Sequence, residues 1–95
     1  MVIFKATVAE FDEAYSRMAQ ELRHLAITQY GCLDFTSFTE GNREIALSYW
    51  PSLEHIRVWK NDPLHKLAQQ RGKDKWYSDF SVEISKLIDA EQAKD

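Results

Sequence analysis

Two segments at opposite ends of this chain, residues 2–8 and 76–87, carry the two-residue side-chain period of a β-strand, and a helical period stands inside each of them. In the first, Val2, Phe4, Ala6 and Val8 share one face and Ile3, Lys5 and Thr7 the other. In the second, Trp76, Phe80, Val82 and Ile84 oppose Tyr77, Asp79, Ser81, Glu83 and Ser85. Between them, Phe11, Ala14, Tyr15, Met18, Leu22, Leu25 and Ala26 recur at three- and four-residue steps, which predicts an amphipathic helix over residues 10–28. Its outer face, with Glu13, Arg17, Glu21, Arg23 and His24, reads as solvated surface. Gly31 supplies a turn, after which residues 32–40 and 44–50 alternate as two further strands. They are joined by Glu40-Gly41-Asn42-Arg43, where Gly and Asn tolerate the positive φ of a hairpin turn. Ser52 predicts the N-cap of a helix from Leu53, and Asp62-Pro63 predicts a second cap and helix start immediately after Asn61. The resulting order is β-α-β-β-α-β, an α+β, ferredoxin-like protomer in which one antiparallel sheet carries both helical segments on one face. Phe35, Phe38, Leu47 and Tyr49 fall on both faces of the sheet, so the uncovered face also needs burial, and a second copy packed sheet to sheet supplies it.

The chain has 95 residues, enough for one domain over residues 1–95 with a polar tail at about 89–95, and few enough that a homodimer is the expected additional support. Its single cysteine, Cys32, excludes an internal disulfide and a cysteine-cluster metal or iron–sulfur site, so no metal is expected. A net charge of −3 with scattered lysines and arginines offers no basic stripe, which sets nucleic-acid partners aside. No apolar run reaches the roughly 20 residues that span a bilayer, and no signal segment opens the chain, so the expectation is a cytoplasmic protein with no membrane partner.

Chemistry concentrates between Tyr49 and Tyr77, which holds all three tryptophans, two of the three histidines and both prolines. On the segment after Pro63, Leu64, Leu67, Ala68 and Arg71 form the expected inward stripe. His65, Ala68, Gln69 and Gly72 form its neighbour, where small residues beside a histidine leave space. From spacing alone, His65 reads as a partly exposed helix residue and Trp59 and Trp76 as core, while Arg71 suits either an anionic ligand or an acid such as Asp74. No phosphate loop, nucleophile motif or HxxxH spacing is present.

The segment SYW-x-S-x-E-x-I-x-x-W-K-N-D-P-x-H, residues 48–65, and the AQQRG and KWYSDF runs after it resemble the antibiotic biosynthesis monooxygenase-like family of the dimeric α/β-barrel superfamily. The resemblance covers nearly the whole chain. It implies a dimer formed through the sheets and a pocket between sheet and helices. It also implies a cofactor-independent monooxygenase acting with O₂ on a small phenolic, quinol or polyketide-like aromatic. In that reading His65 is the catalytic base, Trp59, Trp76 and Tyr49 stack the ring, and Tyr77 and Arg71 hold an oxyanion. A haem-degrading branch of the same superfamily supplies an alternative: Trp59 matches its tryptophan, but the histidine ligand position falls at Gln69 and the first strand has no asparagine. The remaining alternative is a non-catalytic dimeric binder of a small aromatic metabolite, which needs the same pocket.

Overall fold

The computed structural model describes residues 1–9 and 11–93. Four strands, β1 (Val2–Val8), β2 (Asp34–Glu40), β3 (Arg43–Tyr49) and β4 (Tyr77–Ile84), form one antiparallel sheet in the order β2-β3-β1-β4. Helix α1 (Glu13–Gln29) connects β1 to β2, and α2 (Leu53–Lys60), α3 (Pro63–Arg71) and a π-helical turn (Gly72–Trp76) connect β3 to β4. This is the ferredoxin-like α+β protomer, and none of its described helices is long and apolar enough to cross a membrane.

Local chemistry sets the element boundaries. Asp12 caps α1 by accepting the Tyr15 backbone N–H at 2.7 Å, so the described helix begins at Glu13, while Glu10, the expected start, lies outside the described residues. Ser52 caps α2 through the His55 N–H, and Asp62 caps α3 through the N–H groups of Leu64 and His65, with Pro63 as the first helical residue. In the β2–β3 turn Gly41 takes φ +61°, whereas Asn42 keeps a negative φ, so glycine alone supplies the left-handed residue.

Strand β4 is shorter than the alternation implied. It loses Trp76 to the π-helical turn and ends at Ile84, paired with Val2, where β1 runs out. Thr7 pairs with Asp79 and Val8 with Tyr77, leaving Ser78 as an extra residue in a bulge. The bulge reverses parity, so Tyr77 joins the face of Phe80 and Phe4 rather than that of Asp79 and Ser81; its ring lies 5.4 Å from Phe4 and 5.9 Å from Phe80. Gly72 has no side chain because that ring lies against it: a Cβ would stand 2.6 Å from Tyr77 Cδ2. Residues 85–93 form no helix or strand, and the last two residues of the expected polar tail lie outside the described residues.

The helices cover the sheet face that bears Val2, Ala6 and Val8 on two adjoining cores. One gathers Val8, Tyr15, Met18, Ala68 and Trp76; the other gathers Ala26, Cys32, Trp50, Ile56 and Trp59. Leu22 packs against both. On the opposite face, cross-strand rows Ile3–Leu47–Thr36 and Lys5–Ile45–Phe38 have no covering layer within the protomer, and Phe38 is 59% exposed.

Candidate functional site

A cavity of about 260 Å³ lies between the helices and the sheet, bordered by both cores. Its floor explains why it exists. Facing rows on β2, β3 and β1 place Ser37 beside Ala46 and Phe4, and Phe35 beside Ser48 and Val2, so small side chains on β3 leave room under the helices. Ala19 and Ala68 keep the helical side equally short.

At one end stands Trp59, 5% exposed, in contact with Trp50, Tyr30 and His65. The His65 imidazole lies 4.7 Å from the Trp59 indole, centroid to centroid, and lines the cavity. Burial holds His65 below the ordinary histidine value of 6.5; Asp62 pulls it up and Lys60 adds to the fall. It is therefore neutral at pH 7, and its buried Nδ1 has no hydrogen-bond partner among the described residues. The other end is built from Tyr15, Trp76 and Tyr77, with Tyr15 and Trp76 edge to face at 5.3 Å. Exposed Arg23 and Lys60 border the cavity, so its opening carries positive charge. Arg23 is exposed, as its helical position implies, and also borders the cavity.

Of the residues singled out in the sequence, His65, Trp59, Trp76 and Tyr77 line this one cavity. Tyr49 does not. It follows inward-facing Ser48 on β3 and pairs with Asp34, so strand parity sends it to the face away from the helices. Arg71 is also elsewhere: α3 turns His65, Ala68 and Gln69 to the cavity, which leaves Leu67 and Arg71 exposed. Leu64 and Ala68 of the expected inward stripe do pack against the core, but the rest of the inward side is His65 and Gln69 rather than Leu67 and Arg71.

Glu44 was not singled out, and the cavity contains it. It pairs with Ala6 and Thr39 in a row on the helix-covered face, where burial pushes its carboxyl above the ordinary 4.5 and Oε2 has no hydrogen-bond partner among the described residues. Burial, and then the charge of Glu44, push Tyr77 upward as well, so its phenol stays protonated. The available signal was parity: Glu44 shares a face with Ala46 and Ser48, an acid among small inward residues.

No protein-family model matches the chain. It is 33% identical over 87 residues to the uncharacterized protein YqjZ of Bacillus subtilis (strain 168), a match spanning 90% of this chain and 76% of that protein. Among solved structures, a candidate antibiotic biosynthesis monooxygenase from Nitrosomonas europaea superposes with a TM-score of 0.77 at 13% identity, over 92% of this chain and 88% of that one. SnoaB from Streptomyces nogalater, a cofactor-independent oxygenase solved in a mutant form, superposes with a TM-score of 0.71 at 13% identity, over 92% of each chain.

The unpartnered carboxyl generates a stability prediction. A carboxyl raised in the folded state contributes stability that is full below about 4.5 and lost as pH rises through its folded value. Glu44→Leu is therefore expected to stabilise the fold by about 1–3 kcal/mol at pH 7, the cost of a buried polar group without a partner. The gain shrinks as pH falls toward 4.5. Urea denaturation at several pH values and one protein concentration measures it, and a variant destabilised equally at every pH contradicts the assignment.

Proposed function

We propose, for a chain that belongs to the same family as YqjZ and folds as the antibiotic biosynthesis monooxygenases do, that the cavity oxidises a small electron-rich phenolic or quinol aromatic with O₂ and without a cofactor. The observation that carries this reading is the His65–Trp59 pair: a base kept neutral by burial, in ring contact with an indole at the wall of an aromatic cavity. SnoaB, on the same fold, is a cofactor-independent oxygenase, which supports the reaction class.

The chemistry asks little of the protein. His65 accepts the phenolic proton, and the phenolate that forms is an electron donor to O₂. Arg23 and Lys60 at the opening favour that anion, and the aromatic walls exclude water while Trp59 and Trp76 fix the ring plane. For a phenol with a free para C–H, one oxygen atom of O₂ bonds to that carbon and the other leaves as water, so phenol plus O₂ gives quinone plus water; a quinol, whose para carbon already carries oxygen, passes two electrons and two protons to O₂ and gives quinone plus hydrogen peroxide.

The active unit in this proposal is a homodimer, in which the Ile3–Leu47 and Ile45–Phe38 rows of two protomers cover one another. Light scattering at micromolar concentration is expected to give twice 11.1 kDa, and a monomer across that range contradicts it.

His65→Ala is expected to leave folding and assembly intact and to lower oxygen consumption with a quinol by about 10²-fold, the ordinary effect of losing a general base. His55→Ala, on an exposed residue at the start of α2, leaves the rate unchanged. Because His65 titrates below 6.5, wild-type kcat/KM holds down to that pH and falls only beneath it. Equal rates for both variants remove the base assignment, and a wild-type rate equal to autoxidation removes the oxygenase reading.

A further inference from the structure

Three buried side-chain nitrogen or oxygen atoms lack a hydrogen-bond partner among the described residues: Glu44 Oε2, His65 Nδ1 and Trp76 Nε1. All three belong to residues that line the same cavity. Buried polar groups in folded proteins are nearly always paired, so three orphans around one void mark where a ligand's polar groups go. Base chemistry at His65 uses one of them and leaves Glu44 and Trp76 unused.

We infer that Glu44 and Trp76 form an inner anchor for a hydroxyl group, so that the site takes a compact aromatic diol with one hydroxyl on this pair and the second at His65. This rests on the reading of the cavity as an aromatic site. It adds the end of the ligand that the reaction at His65 does not specify.

The argument comes from what each orphan atom accepts or donates. The Trp76 indole N–H only donates, whereas the carboxylate form of Glu44, which a ligand's donor would favour against the effect of burial, only accepts. A hydroxyl does both, receiving the indole hydrogen on its oxygen and giving its own hydrogen to Glu44. A ligand carbonyl satisfies the indole and opposes the carboxylate, and a ligand carboxylate opposes it more strongly. An ammonium pairs with Glu44 and offers nothing to the indole. Placement agrees with this division. Trp76 packs with Tyr15, and Glu44 acts on the neighbouring Tyr77, at the end away from Trp59 and His65. Leu22, packed on both cores, spans the interval. At about 260 Å³ the cavity lies just below the ~300 Å³ at which ordinary ligand pockets begin, which suits one or two fused rings.

The test measures binding without turnover, under nitrogen, by quenching of tryptophan fluorescence. Three probes of one shape are compared: 1,4-dihydroxynaphthalene, its monomethyl ether and its dimethyl ether. Wild type is expected to bind the diol about tenfold or more tighter than the monomethyl ether, the scale of one hydrogen bond to a buried charged partner. Glu44→Leu is expected to bring the diol down to the level of the monomethyl ether while raising the thermal midpoint. Equal wild-type affinities for the three probes overturn the anchor, because water then serves the two atoms as well as a ligand does. Loss of affinity for all three probes together with a lowered midpoint also overturns it, since that is the behaviour of a structural residue. Oxygen consumption with the diol in air separates this inference from the reaction. Turnover without hydroxyl discrimination keeps the oxygenase reading and removes the anchor, and discrimination without turnover does the reverse.

Discussion

The site depends on one buried carboxylate. Asp62, 8% exposed, accepts the backbone N–H groups of Leu64 and His65 on Oδ1, at 2.8 and 3.2 Å, and the Tyr30 hydroxyl on Oδ2. The Tyr30 hydroxyl, followed by the two backbone donors, holds Asp62 below its ordinary value, while the same bond holds Tyr30 above its own. An ionised cap and a protonated phenol are therefore mutually reinforcing across a sequence separation of 32 residues. The geometric result is that the chain just beyond the C-terminus of α1 is fastened to the break between α2 and α3. Trp59, one turn before the break, meets the Tyr30 ring, and His65, one turn after it, meets Trp59. His65 and Trp59 are thus placed by a single capping interaction that also stabilises α3 in its own right.

The cavity comes from a different economy. Small side chains line the sheet beneath the helices, yet the aromatic residues at either end are too rigid to collapse into the space they leave. Such a void forfeits packing energy that the fold replaces elsewhere, as does a carboxyl buried among apolar neighbours. Both costs fall at the same place, which is where a binding site differs from a flaw in packing. The opposite sheet face carries the rows Ile3–Leu47–Thr36 and Lys5–Ile45–Phe38, which no described element of the chain covers.

Much of this was legible in the sequence because local chemistry decides it. The caps at Ser52 and Asp62, the helix start at Pro63, the glycine in the β2–β3 turn and the order of elements all depend on neighbours within a few residues. Errors arose where a distant contact intervened. The bulge at Ser78 is visible only against β1, and it moves Tyr77 from the expected polar face into the core. The family resemblance groups Tyr49 with the tryptophans, but strand parity separates it from them. Which residues of α3 meet the cavity depends on how the helix packs on distant elements, and Arg71 falls on its exposed face. Glu44 escaped notice because a single acid on an alternating strand looks like a solvated one until its pairing with Ala6 places it under the helices.

The central claim is that the unpaired polar atoms around the cavity are ligand contacts, and the indole N–H groups report on it directly. With only three tryptophans, the ¹⁵N–¹H spectrum has three indole resonances, assignable by single Trp→Phe variants. Trp50 Nε1 already donates to Ser48 Oγ at 2.9 Å, so its resonance serves as an internal reference, while Trp76 Nε1 has no acceptor among the described residues. On addition of 1,4-dihydroxynaphthalene under nitrogen, the account predicts a downfield shift and slowed hydrogen exchange at Trp76, with Trp50 nearly still. A saturating ligand that leaves the Trp76 indole unmoved would contradict it.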